Sequence, residues 1–151
     1  MIKQAKRAGL VLAATALSGC SIGIGTGGSL SGSFEAPVGY RQAYQTALAQ
    51  AQLCLVGDGA YRVEGRVDET THAGRLSVVP KLVDGREMAR VEVSAAGDAR
   101  ARVRVEMWGE SLWNANAMRA MHDAVYFSAP SCAVYIPPQS GESPDAWFSK
   151  K

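Results

Sequence analysis

The chain is poor in the residues that most enzyme chemistry draws on. Its 151 residues include two histidines, three cysteines and 7% aromatics. It has no P-loop lysine motif and no H-E-x-x-H, which removes the corresponding phosphate and zinc constellations. Two histidines with scattered cysteines make a poor zinc site and supply no C-x-x-C redox pair, so neither a metal nor a cofactor is expected. Long apolar runs are missing too: the longest, Ala8–Leu17, has about ten residues where a membrane-spanning helix needs roughly 20. Acidic residues are absent before Glu35, whereas Lys3, Lys6 and Arg7 all fall in that leader. Without those three, 13 of the 16 basic side chains face 14 acidic ones, a net −1 in place of +2. Near-neutrality gives no electrostatic ground for nucleic-acid binding.

What is present divides the chain into parts. Residues 1–19 carry a basic start, a short apolar core and then Ser18 and Gly19, the layout of a signal peptide. Residues 20–36 are rich in glycine and serine without apolar periodicity and read as a flexible tether. Gly23, Gly25 and Gly28 satisfy G-x-G-x-x-G, but no helical stripe follows them, so a nucleotide loop is not expected.

The folded part is expected over residues 37–136. Tyr40, Ala43, Tyr44, Ala47, Leu48, Ala51 and Leu55 recur at steps of three and four, the stripe of an amphipathic helix that Gly57 and Gly59 stop. The period then switches to two. Tyr61, Val63, Gly65 and Val67 alternate with charged residues, followed by Leu76, Val78, Pro80 and Leu82, by Ala89, Val91, Val93 and Ala95, and by Ala99, Ala101, Val103, Val105 and Met107. Pro80 argues for an edge or a bulge, and Asp84-Gly85 for a hairpin. Ser111 caps a second helix whose Trp113, Ala117, Ala120, Ala124 and Phe127 share a face, ended by Pro130. The expectation is an α+β two-layer sandwich: a four-stranded antiparallel meander, with one helix before it and one after it on the same face. Residues 132–136 suggest a short extended piece, and 137–151 a loose tail.

Leu17, Ser18, Gly19 and Cys20 resemble the lipobox of bacterial lipoprotein signal peptides, and the resemblance covers residues 1–21. It implies cleavage before Cys20, a diacylglyceryl group on its sulfur and acylation of the freed amine. Ser21, in place of Asp, implies sorting to the outer membrane of a Gram-negative bacterium. Several acyl chains at about 0.8 kcal/mol per buried CH₂ hold a domain stably to a bilayer. With Cys20 so committed, Cys54 and Cys132 form an even pair in an oxidising compartment and are expected to be disulfide-bonded. In an up-down path their helices end at opposite sides of the sheet, so the bridge requires crossed helices or a return through residues 128–132.

For function the expected surface is the polar sheet face. Arg62, Arg66, Arg90, Arg100, Arg102 and Arg104, with Glu64, Glu92 and Glu106, make either a solvated charge ladder or a contact for an envelope protein or acidic glycan. The aromatics Trp108, Trp113, Trp147, Tyr126 and Tyr135 are a second candidate patch, more readily read as core. The leading expectation is a non-enzymatic accessory module anchored to the outer membrane. Its rivals are an envelope hydrolase around His122 and Asp123, whose adjacent positions point apart on a helix, and a small-ligand carrier with a cavity between helices and sheet.

Overall fold

A computed structural model describes residues 22–83, 85–133, 143 and 145–151. The signal-peptide expectation, Cys20, Asp84 of the hairpin signal, Tyr135 and most of the piece expected at 132–136 lie outside these residues.

Strand β1 spans Leu30–Ala36, helix α1 Tyr40–Cys54, and strands β2 to β5 span Tyr61–Asp68, Ala73–Pro80, Ala89–Ala95 and Ala101–Met107. A 3₁₀ turn at Ser111–Trp113 precedes helix α2, Ala115–Phe127, and a last strand β6 covers Phe148–Lys150. The fold is α+β with an antiparallel sheet and a helix on either side of the meander, but the sheet has six strands in the order β2-β3-β4-β5-β1-β6, not four.

The two additional strands come from the stretches read as tether and tail. In β1, Leu30, Gly32, Phe34 and Ala36 register with Met107, Val105, Val103 and Ala101 of β5, so a period of two runs beneath the glycine and serine. Gly32 is small because a Cβ there would meet Phe148 Cβ at 2.5 Å and the Trp147 carbonyl. β6 then adds three residues against Leu30–Gly32. Residues 22–29 are also fixed: Ile24 N–H donates to the Glu87 carbonyl at 2.8 Å, and Gly28 N–H to the Lys151 carbonyl at 3.1 Å. The expected tether is therefore part of the domain from Ile22 onward.

The core lies between one sheet face and the helices, with Leu76, Val78, Val91, Val93, Val103 and Val105 meeting Ala43, Ala47, Ala51, Met118 and Met121. Tyr44 of α1 lies over Gly65 and Gly74, where a Cβ on Gly74 would stand 2.5 Å from Tyr44 Cδ2. Pro80 is the last residue of β3, an interior strand, so it costs no ladder bond and marks neither edge nor bulge. Leu82, expected on that strand, is 97% exposed beyond it.

The second helix starts later than expected. Asn114, not Ser111, caps it, its side chain accepting from Asn116 and Ala117 N–H. The break resets the helical phase, so Met118, Met121 and Val125 are buried beside Ala120 and Ala124 while Phe127 is half exposed. Ser128 in the left-handed region closes it two residues ahead of Pro130.

The Cys54–Cys132 disulfide is present, with Cα atoms 5.3 Å apart. Of the two routes the return path is the one used. Gln42 Nε2 donates to Ser128 Oγ at 2.9 Å near the start of α1, and four residues before Cys54 the buried Gln50 amide exchanges two 2.8 Å bonds with the backbone of Ser131. Residues 128–132 thus run back along α1 to its C-terminus.

Candidate functional site

Alternation sets the site. Each inward apolar residue of β1 to β5 places its neighbour on the opposite face, which no helix covers. That face carries Arg62, Glu64, Arg66 and Asp68 from β2, Arg75, Ser77 and Val79 from β3, Arg90, Glu92 and Ser94 from β4, Arg102, Arg104 and Glu106 from β5, and Ser31, Ser33 and Glu35 from β1. The expected charge ladder is there, with partners set by register. Arg75 stands opposite Glu92 at 3.5 Å, Arg90 opposite Glu106 at 3.0 Å, and Arg102 opposite Glu35 at 3.2 Å. Arg100, just before β5, also reaches Glu35, at 2.9 Å.

Two carboxylates organise the middle of the face. Glu87 accepts from Arg75 and Ser77 at 2.9 and 2.5 Å and pairs with Arg90. Glu106, 7% exposed, accepts from Lys151 at 2.6 Å, Arg90 at 3.0 Å and Arg104 at 3.2 Å. The Lys151 hydrogen bond, against the opposing effect of burial and with help from Arg104, holds the Glu106 carboxyl below its ordinary range. Arg75, Glu87 and Lys151 are functional-face residues that sequence reasoning misses. Arg75 carries the same signal as the others, since it alternates with Leu76, but Glu87 lies in a connection and Lys151 in the presumed tail.

This central network separates two shallow clefts. One, of about 710 Å³, lies at the end of the sheet where β2 starts and β3 finishes, between Ile22–Ile24, Arg62, Val83, Arg86 and Arg90. The other, of about 700 Å³, lies at the far end, lined by Arg66, Arg75, Arg102, Arg104, Ser33 and Ser94. Arg102 and Arg104 are more than half exposed and Arg75 less so. Arg66 makes no hydrogen bond or ion pair among the described residues, its charge acting on Asp68. Asp68 is itself held ionised by the backbone N–H groups of Thr71 and Thr70. The far cleft thus presents four guanidinium groups and several hydroxyls, with the carboxylates of Asp68 and Glu92 among them. Arg62 is turned to its own strand end, donating to Glu64 at 2.8 Å and to the Pro80 carbonyl at 3.0 Å. Of the six arginines expected as an interaction surface, Arg66, Arg102 and Arg104 line the far cleft and Arg62 and Arg90 the near one, with Arg100 beyond both.

His122 and Asp123 do meet: Nδ1 lies 3.0 Å from Asp123 Oδ1, although adjacent helix positions are expected to point apart. The imidazole is packed among Phe34, Trp147 and Tyr126, with ring centroids 4.5, 5.4 and 5.6 Å away, and lines neither cleft. His72, in the β2–β3 turn, stacks on Tyr40 at 5.3 Å. Trp113 is core, and Trp108 and Trp147 pack against the core. Among the described residues no group of His, Cys, Asp and Glu is arranged to hold a metal ion, and no helix is long and apolar enough to cross a membrane.

No protein-family model matches the chain, and no curated protein matches it either.

Proposed function

We propose that the protein is a lipid-anchored accessory module of the Gram-negative envelope, attached through Cys20 to the outer membrane, whose far sheet cleft binds an anionic ligand: an acidic glycan or a phosphate-bearing envelope component. The observation that carries the binding reading is the convergence of Arg66, Arg75, Arg102 and Arg104 around one open cleft. Guanidinium groups offer paired N–H donors that match carboxylate and phosphate oxygens. Arg66 brings no ion pair of its own among the described residues and so meets a ligand without first breaking one. The lipid anchor rests on the Leu17–Cys20 lipobox and its leader.

The test is salt-dependent retention of the mature protein on an immobilised uronic-acid or sulfated polysaccharide. Replacing Arg66, Arg102 and Arg104 with Gln removes three cations and is expected to abolish retention at moderate salt, while far-UV circular dichroism and the unfolding midpoint change little. Equal elution of parent and variant would exclude the cleft as the binding surface.

A further inference from the structure

The end of the sheet opposite the arginine cleft carries an unusual combination. It holds the first described residue, Ile22, and beside it the connection between β3 and β4. Gly23 lies against this connection, where a Cβ would stand 2.9 Å from the Glu87 carbonyl oxygen, and Ile24 N–H is bonded to that carbonyl. The same connection exposes Leu82 almost completely, at 97%, and Val83 by half, and Val83 shares the near cleft with Ile22. Two adjacent aliphatic side chains left in water at a loop tip bury nothing for the fold. Cations lie at this end of the sheet: Lys81 precedes Leu82, Arg86 lines the cleft beside Glu64 and Glu87, and Lys150 stands against Gly28 on the edge strand β6. Leu112, 42% exposed, lies at the same end, since its Cδ1 approaches Gly57 just ahead of β2.

We infer that this end is a membrane-docking surface: Leu82, Val83 and Ile22 enter the headgroup boundary of the bilayer while Lys81, Arg86 and Lys150 contact anionic lipid. The inference rests on the proposed acylation of Cys20. Ile22 lies two residues from that anchor, and at about 3.3–3.6 Å per residue the backbone of the acylated cysteine lies within about 7 Å of Ile22. The domain has no slack to swing away, so its near end is held at the lipid surface whatever its own affinity. The apolar side chains of the loop tip, and the basic ones at the same end of the sheet, are then placed where each gains, the aliphatic groups by leaving water and the cations from the anionic surface potential. The arginine cleft follows as the outward-facing end, about 23 Å away along strands of seven or eight residues.

The experiment uses the full chain, expressed and processed in a Gram-negative host, purified from membranes and reconstituted in phosphatidylethanolamine–phosphatidylglycerol vesicles with brominated acyl chains. Intact mass reports the acyl groups. Leu82→Trp and Val67→Trp place one new indole at each end, Val67 being a partly exposed residue on the far half of β2. The fluorescence each variant adds to that of the parent is the readout. With the acyl mass present, the indole of the Leu82→Trp variant is expected to be quenched several-fold more than that of Val67→Trp, and less in vesicles of zwitterionic lipid alone. Acylated protein with equal, weak quenching at both positions would overturn docking and leave the anchor standing. Quenching at position 82 indifferent to lipid charge would overturn the role of the cations. A mature chain without acyl mass would overturn the anchor, and the docking orientation with it.

Discussion

Tyr44 and Gly74 form a pair whose coupling is calculable. Gly74 sits on β3 between two ladder partners, Val67 and Val93, so its backbone cannot retreat. A Cβ added there stands 2.5 Å from Tyr44 Cδ2 and 3.1 Å from both Cγ and Cε2. The ring, 7% exposed, has to leave its groove. Overpacking of this kind costs about 1–3 kcal/mol, offset in part by the roughly 0.5–1 kcal/mol that Ala gains over Gly in a strand. Gly74→Ala is therefore expected to destabilise by about 2 kcal/mol at the upper end of that range. Tyr44→Ala alone removes a buried aromatic and costs about 3–5 kcal/mol, within the roughly 5–15 kcal/mol that holds such a domain together. In that background the obstruction is gone and the new methyl enters vacated space, so Gly74→Ala becomes stabilising by about 0.5–1 kcal/mol. The sign reverses, and the coupling energy is about 3 kcal/mol. Urea unfolding of the four oxidised chains, compared at a common m-value, measures it. An equal cost of Gly74→Ala in both backgrounds would show that the glycine is not there for the ring.

Other expectations follow from the same packing. Reducing the Cys54–Cys132 bridge, which spans 78 residues of sequence, should lower stability by about 4 kcal/mol, read as a shift in the urea midpoint with reductant; no shift would mean that Gln50 and Ser131 hold the return path unaided. The Glu106 carboxyl is held low in the folded chain, so its contribution is complete above its ordinary value of 4.5 and lost as pH falls below it; Glu106→Gln should flatten the acid limb of the stability–pH curve in that range. Tyr44 runs the other way: burial raises its phenol above 10.0, the folded state keeps the proton longer, and stability should drop as pH rises past 10.0, a limb that Tyr44→Phe removes. Asp145, held ionised by two contacts of 2.5 and 2.6 Å from Arg119, fastens the approach to β6 onto α2. Asp145→Asn should speed hydrogen exchange at the Phe148 and Lys151 amides while leaving β3 and β4 protected.

The parts of this fold written in repeating patterns are legible from residues alone. Ala43, Tyr44, Ala47 and Ala51 are buried as their spacing requires, and the alternation from Tyr61 to Met107 yields four strands whose charged face stays in solvent. What escapes is decided by contacts distant in sequence. Gly32 and Ser33 look like tether composition until Trp147 and Phe148 arrive to require a bare Cα, and a three-residue strand such as Phe148–Lys150 has no period to show. Gln50 sits on the buried side of α1 because the Ser131 backbone bonds both ends of its amide, a pairing 81 residues away. The arginine cleft is half visible: alternation puts the guanidinium groups on one face, but which of them are tied to carboxylates and which remain for a ligand depends on strand order.

That order also governs when the domain can form. β1 is the first strand to be synthesised, yet its partner on one side is β5, with Leu30 opposite Met107, and on the other β6, which ends at Lys150. Until β5 and β6 have been made, β1 has no edge to join, and the meander of β2 to β5 can assemble without it. Long-range closure of this kind makes for slow folding. A nascent chain would therefore stay open at β1 until the strands that flank it have been made, leaving the residues ahead of Leu30 outside the sheet until late in synthesis.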